Sequence, residues 1–301
     1  MTHSQTWYGL NVILSAMIAA VSLVVSEIAM QYFQVPPLVV AVIGNFTGGV
    51  ILVLMAAHSG QQVFPRDGRT WRGVLAVAVF IYTLAYLCSF SAIGDIGSGK
   101  TALLGQLETL FAVLLAVIFL GERLTPRRIV AALILMVGAV LINFDLKLLQ
   151  LQFGWGELLA LLAPLFVAGG IVISKPFLDV TDARVITGLG LTIGSLFLIP
   201  VAAMLVPAFS IVLVAVPVIM FAGIMRGLSW FIYNRGLRHI GVSLSAILFI
   251  SFGFFTVFLQ LVLGHFFPVL GLQIPSNLPA ALFGAGLIAI GILVLKSKRQ
   301  K

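Results

Sequence analysis

The chain has 301 residues, of which 61% are hydrophobic and 9% charged, where a soluble domain carries about 25% charged residues. A mean hydropathy of +1.20 leaves too little polar surface for a water-soluble globule, which excludes a soluble enzyme, a disordered chain and a secreted disulfide scaffold. Lys and Arg number 17 against 9 Asp and Glu, a net charge of +8. In a membrane chain that excess reports which side the loops face rather than nucleic-acid binding.

A membrane-spanning helix uses roughly 20 apolar residues. Ten apolar runs of suitable length are predicted: Leu10–Phe33, Pro37–Ala57, Gly73–Ile93, Gly97–Leu120, Arg127–Phe144, Gly156–Ser174, Val185–Val206, Ile211–Asn234, Val242–Gly264 and Asn277–Leu295. Helices fit better than barrel strands, because Val74–Ile81 and Leu110–Leu120 are apolar on every side instead of alternating. The first run is too long for a signal peptide, and Met1–Gly9 offers no basic residue before it. The lone Cys88 lies within the third run and has no partner for an internal disulfide.

With a cytoplasmic N-terminus and alternating loops, 14 of the 17 Lys and Arg fall inside, among them Arg66, Arg69, Arg72, Arg123, Arg127, Arg128, Lys175, Arg184, Arg235 and Arg238. Lys147 falls outside, Lys100 near the outer end of its run, and Arg226 within a run. This asymmetry predicts a multi-pass protein of the cytoplasmic (inner) membrane with both termini cytoplasmic.

The two halves resemble one another. Gly44-Asn45-Phe46-Thr47-Gly48 in run two has a counterpart in Gly190-Leu191-Thr192-Ile193-Gly194 of run seven, 146 residues later. Ser26-Glu27 pairs with Ser174-Lys175 at a shift of 148, and Ile96-Gly97 with Ile240-Gly241 at 144. Five spans per half, an odd number, would turn the second copy over. The fold expected is an all-α integral membrane protein of ten helices, with residues 1–150 and 151–301 as two inverted five-helix repeats.

Residues 103–142 resemble the fourth and fifth helices of EamA-type members of the drug/metabolite transporter superfamily. The turn Leu120-Gly121-Glu122-Arg123-Leu124-Thr125 is the most family-like stretch, and Gly138-Ala139-Val140-Leu141-Ile142 closes the segment. Gly154-Trp155-Gly156-Glu157-Leu158-Leu159-Ala160-Leu161 is similar to the family's second-repeat start. The resemblance implies ten helices in two inverted repeats over the whole chain. It departs where His265 stands near the second Gly-Glu turn and where Glu108-Thr109 replaces a common Glu-Pro.

Gly94-Asp95-Ile96-Gly97-Ser98-Gly99-Lys100-Thr101 matches the phosphate-loop pattern in full. That pattern needs a buried strand before it and a helix after it, whereas here it joins two apolar spans on the outer side. It reads as a Gly-rich turn capping run four. Asn45-Phe46-Thr47, a formal glycosylation match, lies mid-span. The His residues at 3, 58, 239 and 265 form no metal-ligand spacing, and no catalytic grouping shares a helix face.

Ionisable groups inside spans mark cavities or partners, because a helix-centre charge costs roughly 2.5–3.5 kcal/mol on insertion scales. Glu108 and Arg226 lie near mid-run, with Glu27 and Lys100 toward the outer ends. Thr101, Gly105, Glu108 and Ala112 form a small, polar stripe at helical spacing on run four. Gly223, Arg226, Trp230 and Tyr233 form another stripe on run eight, and the repeat makes Tyr82 the symmetric counterpart of Arg226, with Tyr86 and Phe90 continuing along the run-three face. The candidate substrate site is therefore Glu108, Arg226, Tyr82, Tyr86, Phe90, Thr101, Trp230 and Tyr233, the alternative being a purely structural Glu108–Arg226 pair.

The function expected is secondary transport, as export or exchange, of small amphiphilic metabolites with amino acids foremost. Neither a cofactor nor nucleic acid enters; the partners are the solute and the bilayer, and the oligomeric state is open between monomer and homodimer. The alternatives are a carrier of nucleotide sugars or other phosphorylated solutes, and a non-transporting membrane enzyme or subunit.

Overall fold

The computed structural model describes residues 3–142, 154–206, 213–272 and 278–296, and every regular element among them is helical. Helix α1 spans His3–Gln31 and α2 spans Pro37–His58, with Pro37 in the first turn, where no N–H is missed. Asp67 caps α3 (Gly68–Val77) by accepting from the Thr70 N–H at 2.7 Å. A π-helical segment, Ala78–Ala85, follows, and the Thr83 hydroxyl donates to the Ala78 carbonyl five residues back. Helix α4 (Tyr86–Gly105) continues it, and α5 (Leu107–Leu120) ends at Gly121, whose φ of +63° suits a residue without Cβ.

Next come α6 (Pro126–Ile142), α7 (Trp155–Leu178) with Pro164 and Pro176 inside it, and α8 (Ala183–Leu205). Helix α9 (Ala215–Ile240) is followed through Gly241 by α10 (Val242–Phe249) and α11 (Ser251–Phe266). Helix α12 spans Leu278–Lys296. Among the described residues, seven helical stretches are long and apolar enough to cross a bilayer, and Leu107–Leu120 and Leu282–Leu295 are shorter apolar helices. Together with α6, they match the ten predicted runs one for one.

Three details differ from expectation. The break predicted at Ile93–Gly97 is helical backbone, and the interruption falls at Gln106. Gly105, a weak helix former, is the last residue of α4 before it. The phosphate-loop match consequently lies within α4 rather than in a turn; the side chains of Gly97 through Lys100 lie outside the described residues. The interruption also divides the run-four stripe, leaving Thr101 and Gly105 on α4 but Glu108 and Ala112 on α5. Run nine is split at Ile250 into α10 and α11. The run ends at Phe144, Ile211 and Asn277, and the loop residue Lys147, lie outside the described residues.

The helices pack in pairs drawn from opposite halves: α1 on α9, α2 on α8, α4 on α7, α5 on α10 and α6 on α12. The core joins them through fully buried Tyr82, Leu135, Ile171, Leu191, Leu237 and Leu244. Large apolar side chains such as Ile118, Phe119, Leu133 and Met204 point outward, as a lipid-facing surface requires. Charged contacts gather at one end. Lys175 pairs with Asp179 and also donates to the Arg238 carbonyl. Arg184 pairs with Asp182 and donates to the Ser59 hydroxyl, while Tyr8 stacks on His239 at 3.8 Å.

Candidate functional site

Glycine pairs set how closely the helices approach. On α2, Gly44 and Gly48 meet Gly223 and Gly227 of α9: a Cβ at Gly223 would lie 2.7 Å from the Gly44 Cα, and one at Gly227 2.8 Å from the Gly48 carbonyl oxygen. On α8, Gly190 and Gly194 meet the π-helical segment, where a Cβ at Gly190 would lie 3.0 Å from the Tyr82 ring. These glycines are therefore backbone-contact seams, the role that small-xxx-small spacing plays in membranes.

One turn from the Gly223 crossing, Arg226 is buried, with 9% of its surface exposed. Its Nη1 donates to Asn45 Oδ1 on α2 at 2.8 Å and its Nη2 to Ser26 Oγ on α1 at 3.0 Å. The guanidinium carbon stands 5.5 Å from the centre of the Tyr86 ring, within range of a cation–π attraction. A Cβ at Gly44 would lie 3.2 Å from Nη1, so the missing side chain makes room for the guanidinium.

Further aromatic rings lie on α9, α10, α4 and the π-helical segment. Trp230, half-buried, meets Tyr82 at 5.7 Å and Tyr233 at 5.6 Å, both edge-on. Tyr233 meets Phe249 at 5.1 Å, and Tyr86 tilts against half-buried Phe90 at 5.7 Å. The hydroxyls of Tyr82 and Tyr233 are buried without a hydrogen-bond partner among the described residues. Such groups are costly to strand, and each could bond a solute entering between the rings.

The structure thus groups Arg226 with Tyr86 and Phe90, and Tyr82 with Trp230 and Tyr233. Glu108 is half-buried at the start of α5, within electrostatic reach of Tyr233, and forms no ion pair with Arg226. The alternative of a directly bonded Glu108–Arg226 pair is therefore absent from this arrangement. Thr101 is buried near the end of α4. No group of three or more potential metal ligands occurs among the described residues.

Residues 6–144 match the EamA-like transporter family. Protein PecM of Dickeya dadantii (strain 3937) is 27% identical over 273 residues, covering 88% of this chain and 86% of PecM. The first half of the chain is thus similar to the EamA-like transporter family. With its long apolar helices, the chain is a multi-pass membrane protein similar to a transporter family. A solved crystal structure shares the fold at a TM-score of 0.77 and 21% identity, covering 98% of this chain and 97% of the other.

In this chain, sequence reasoning passed over Asn45 and Ser26 as site residues. Their signal was present: an amide between glycines in an otherwise apolar helix, and a Ser beside an intramembrane Glu. It also passed over the hydrogen bond from Gln260 Nε2 to Glu27 Oε2, 2.8 Å long, which links α11 to α1.

Proposed function

We propose that the chain is a secondary transporter of small amphiphilic metabolites, amino acids foremost, working by export or exchange through alternating access. Residues 1–150 and 151–301 act as inverted repeats in the inner membrane, with both termini and the basic end cytoplasmic. Glu108, Arg226, Tyr82, Tyr86, Phe90, Thr101, Trp230 and Tyr233 line the route, the guanidinium taking an anionic group and the rings an apolar body.

The observation that carries this reading is a reciprocal packing pattern. Exchanging the halves turns the α1–α9 contact into that of α7 with α3 and α4. It likewise turns α2 on α9 into α8 on the π-helical segment, and α5 on α7 into α10 and α11 on α1. Single residues follow suit, since Arg226 abuts Gly44 as Tyr82 abuts Gly190. Two halves with interchangeable contacts can trade conformations, which is how inverted repeats expose one site to either side in turn.

Counterflow in liposomes tests the proposal. Vesicles preloaded with an unlabelled amino acid should transiently concentrate the labelled one. If amino acids, polyamines and sugars all fail to exchange, the transport reading falls. Single-Cys labelling in a Cys88→Ser background tests orientation: a Cys at Asp67 should react from the cytoplasmic side, and periplasmic labelling would reverse the assignment.

A further inference from the structure

We infer that the α2–α9 crossing holds a carboxylate-reading subsite in which Asn45 and Arg226 together bind the solute's carboxylate, with Ser26 fixing the guanidinium's angle. The inference rests on the transport reading and adds which end of the solute is read, and by which atoms.

The hydrogen-bond directions are decided by chemistry. Arg226 has donors and no acceptor, so Asn45 must turn its oxygen toward Nη1 at 2.8 Å. Its amide nitrogen then faces elsewhere, and that nitrogen is buried without a partner among the described residues, on a side chain with 0% exposure. A native structure seldom strands such a donor unless something else comes to meet it. Ser26 is likewise committed: its hydroxyl donates to the Ser22 carbonyl at 2.8 Å, so it can only accept from Arg226. Ser22 in turn donates to the Ala222 carbonyl on α9 at 2.8 Å, holding α1 in place. The neighbouring carboxylate, Glu27, accepts from Gln260 on α11.

Two of the five guanidinium N–H groups are taken by these neutral oxygens, and among the described residues no carboxylate pairs with Arg226. What the cluster presents is N–H donors: the remaining guanidinium fork and the Asn45 amide. Two neighbouring sets of unused donors suit an anion with two acceptor oxygens, and the planar fork matches a carboxylate. An ammonium brings donors to donors, and a carboxamide offers one oxygen where two are read. Tyr86 beneath the guanidinium and Trp230 one turn along leave the apolar body of the same solute against aromatic faces. The Gly44–Gly223 seam keeps α2 and α9 in contact, so both donors keep a fixed separation.

The test uses the full chain in detergent with Trp7, Trp71 and Trp155 changed to Phe, leaving Trp230 as the fluorescent reporter. Four probes share one side chain: L-leucine, 4-methylpentanoate without the amine, isoamylamine without the carboxyl, and L-leucinamide. Leucine and 4-methylpentanoate should perturb Trp230 emission saturably; isoamylamine and leucinamide should bind at least about tenfold more weakly. Asn45→Asp sets a carboxylate against Arg226, keeps the helix contact and should abolish the response, while Arg226→Lys should weaken it about tenfold or more. Equal binding of leucine and leucinamide, an unchanged response in Asn45→Asp, or silence from all four probes overturns the inference. Saturable carboxylate-dependent binding without counterflow would instead sink the transport reading and leave the subsite standing.

Discussion

The carboxylate of Glu122 receives the backbone N–H groups of Val242 at 2.7 Å and Ser243 at 2.9 Å. A side chain from the turn after α5 thus caps α10, in the other half of the chain. Its negative charge meets the positive end of the helix dipole, and two N–H groups without intrahelical partners are satisfied at once. Glu122→Ala should therefore lower stability by about 1–2 kcal/mol. Glu122→Gln, which keeps one acceptor oxygen, should lose less. Thermal unfolding in detergent measures both, and an Ala variant as stable as the parent would remove the cap's importance.

The glycine seam makes an opposite pair of predictions. At Gly223 or Gly227 a methyl group would collide with α2 backbone, so Ala at either position should destabilise by about 1–3 kcal/mol. At Gly286 on α12 a Cβ would meet nothing within 4 Å, and Ala there should gain up to about 1 kcal/mol from helix propensity. The same unfolding assay compares them; equal behaviour at Gly223 and Gly286 would mean that the seam is not tight.

At the charged end, Asp182 Oδ1 accepts from the Arg184 N–H at 2.8 Å and Nε at 2.9 Å, and Oδ2 from Nη2 at 3.0 Å. The Arg184 side chain, aided by its backbone N–H, holds the Asp182 carboxyl below the usual carboxylate range. A pKa lowered on folding adds stability that is complete above the unfolded value, about 3.9, and is lost as pH falls through the folded value. Asp182→Asn should thus lower the unfolding temperature at pH 7, and the gap from the parent should close as pH drops below about 4. A gap independent of pH would assign the effect to packing.

Arg226 and Glu108 do not touch, so removing both charges should not restore what one removal costs. Arg226→Met should abolish counterflow, and Glu108→Gln combined with Arg226→Met should stay inactive. Lys at 226 should rescue poorly, lacking the guanidinium fork. Full counterflow in the double variant would return the two residues to a structural pair acting at longer range.

The membrane class and the number of spans were legible because they depend on local composition: an apolar run of sufficient length has few alternatives in a bilayer. The buried charge at Arg226 and its aromatic neighbours were legible for a related reason, since a stripe at helical spacing shows in any apolar run. What escaped depends on distant partners. Asn45 meets Arg226 across 181 residues of chain, Ser26 meets it across 200, and Glu122 reaches Val242 across 120. The Ile93–Gly97 segment misled because its glycines imitate a turn, while the backbone there keeps its helical hydrogen bonds and yields only at Gln106.

The contact of Gly44 and Gly48 with Gly223 and Gly227 also channels how such a protein can diversify. Where main chain touches main chain, no side chain remains to be exchanged, and Asn45 is locked beside that contact. On the proposed transport reading, descendants of this gene that acquire a new cargo would be confined to altering the aromatic wall of Tyr82, Tyr86, Trp230 and Phe249. On that reading, the polar corner would persist as an inheritance common to lineages whose cargoes share little but a carboxylate.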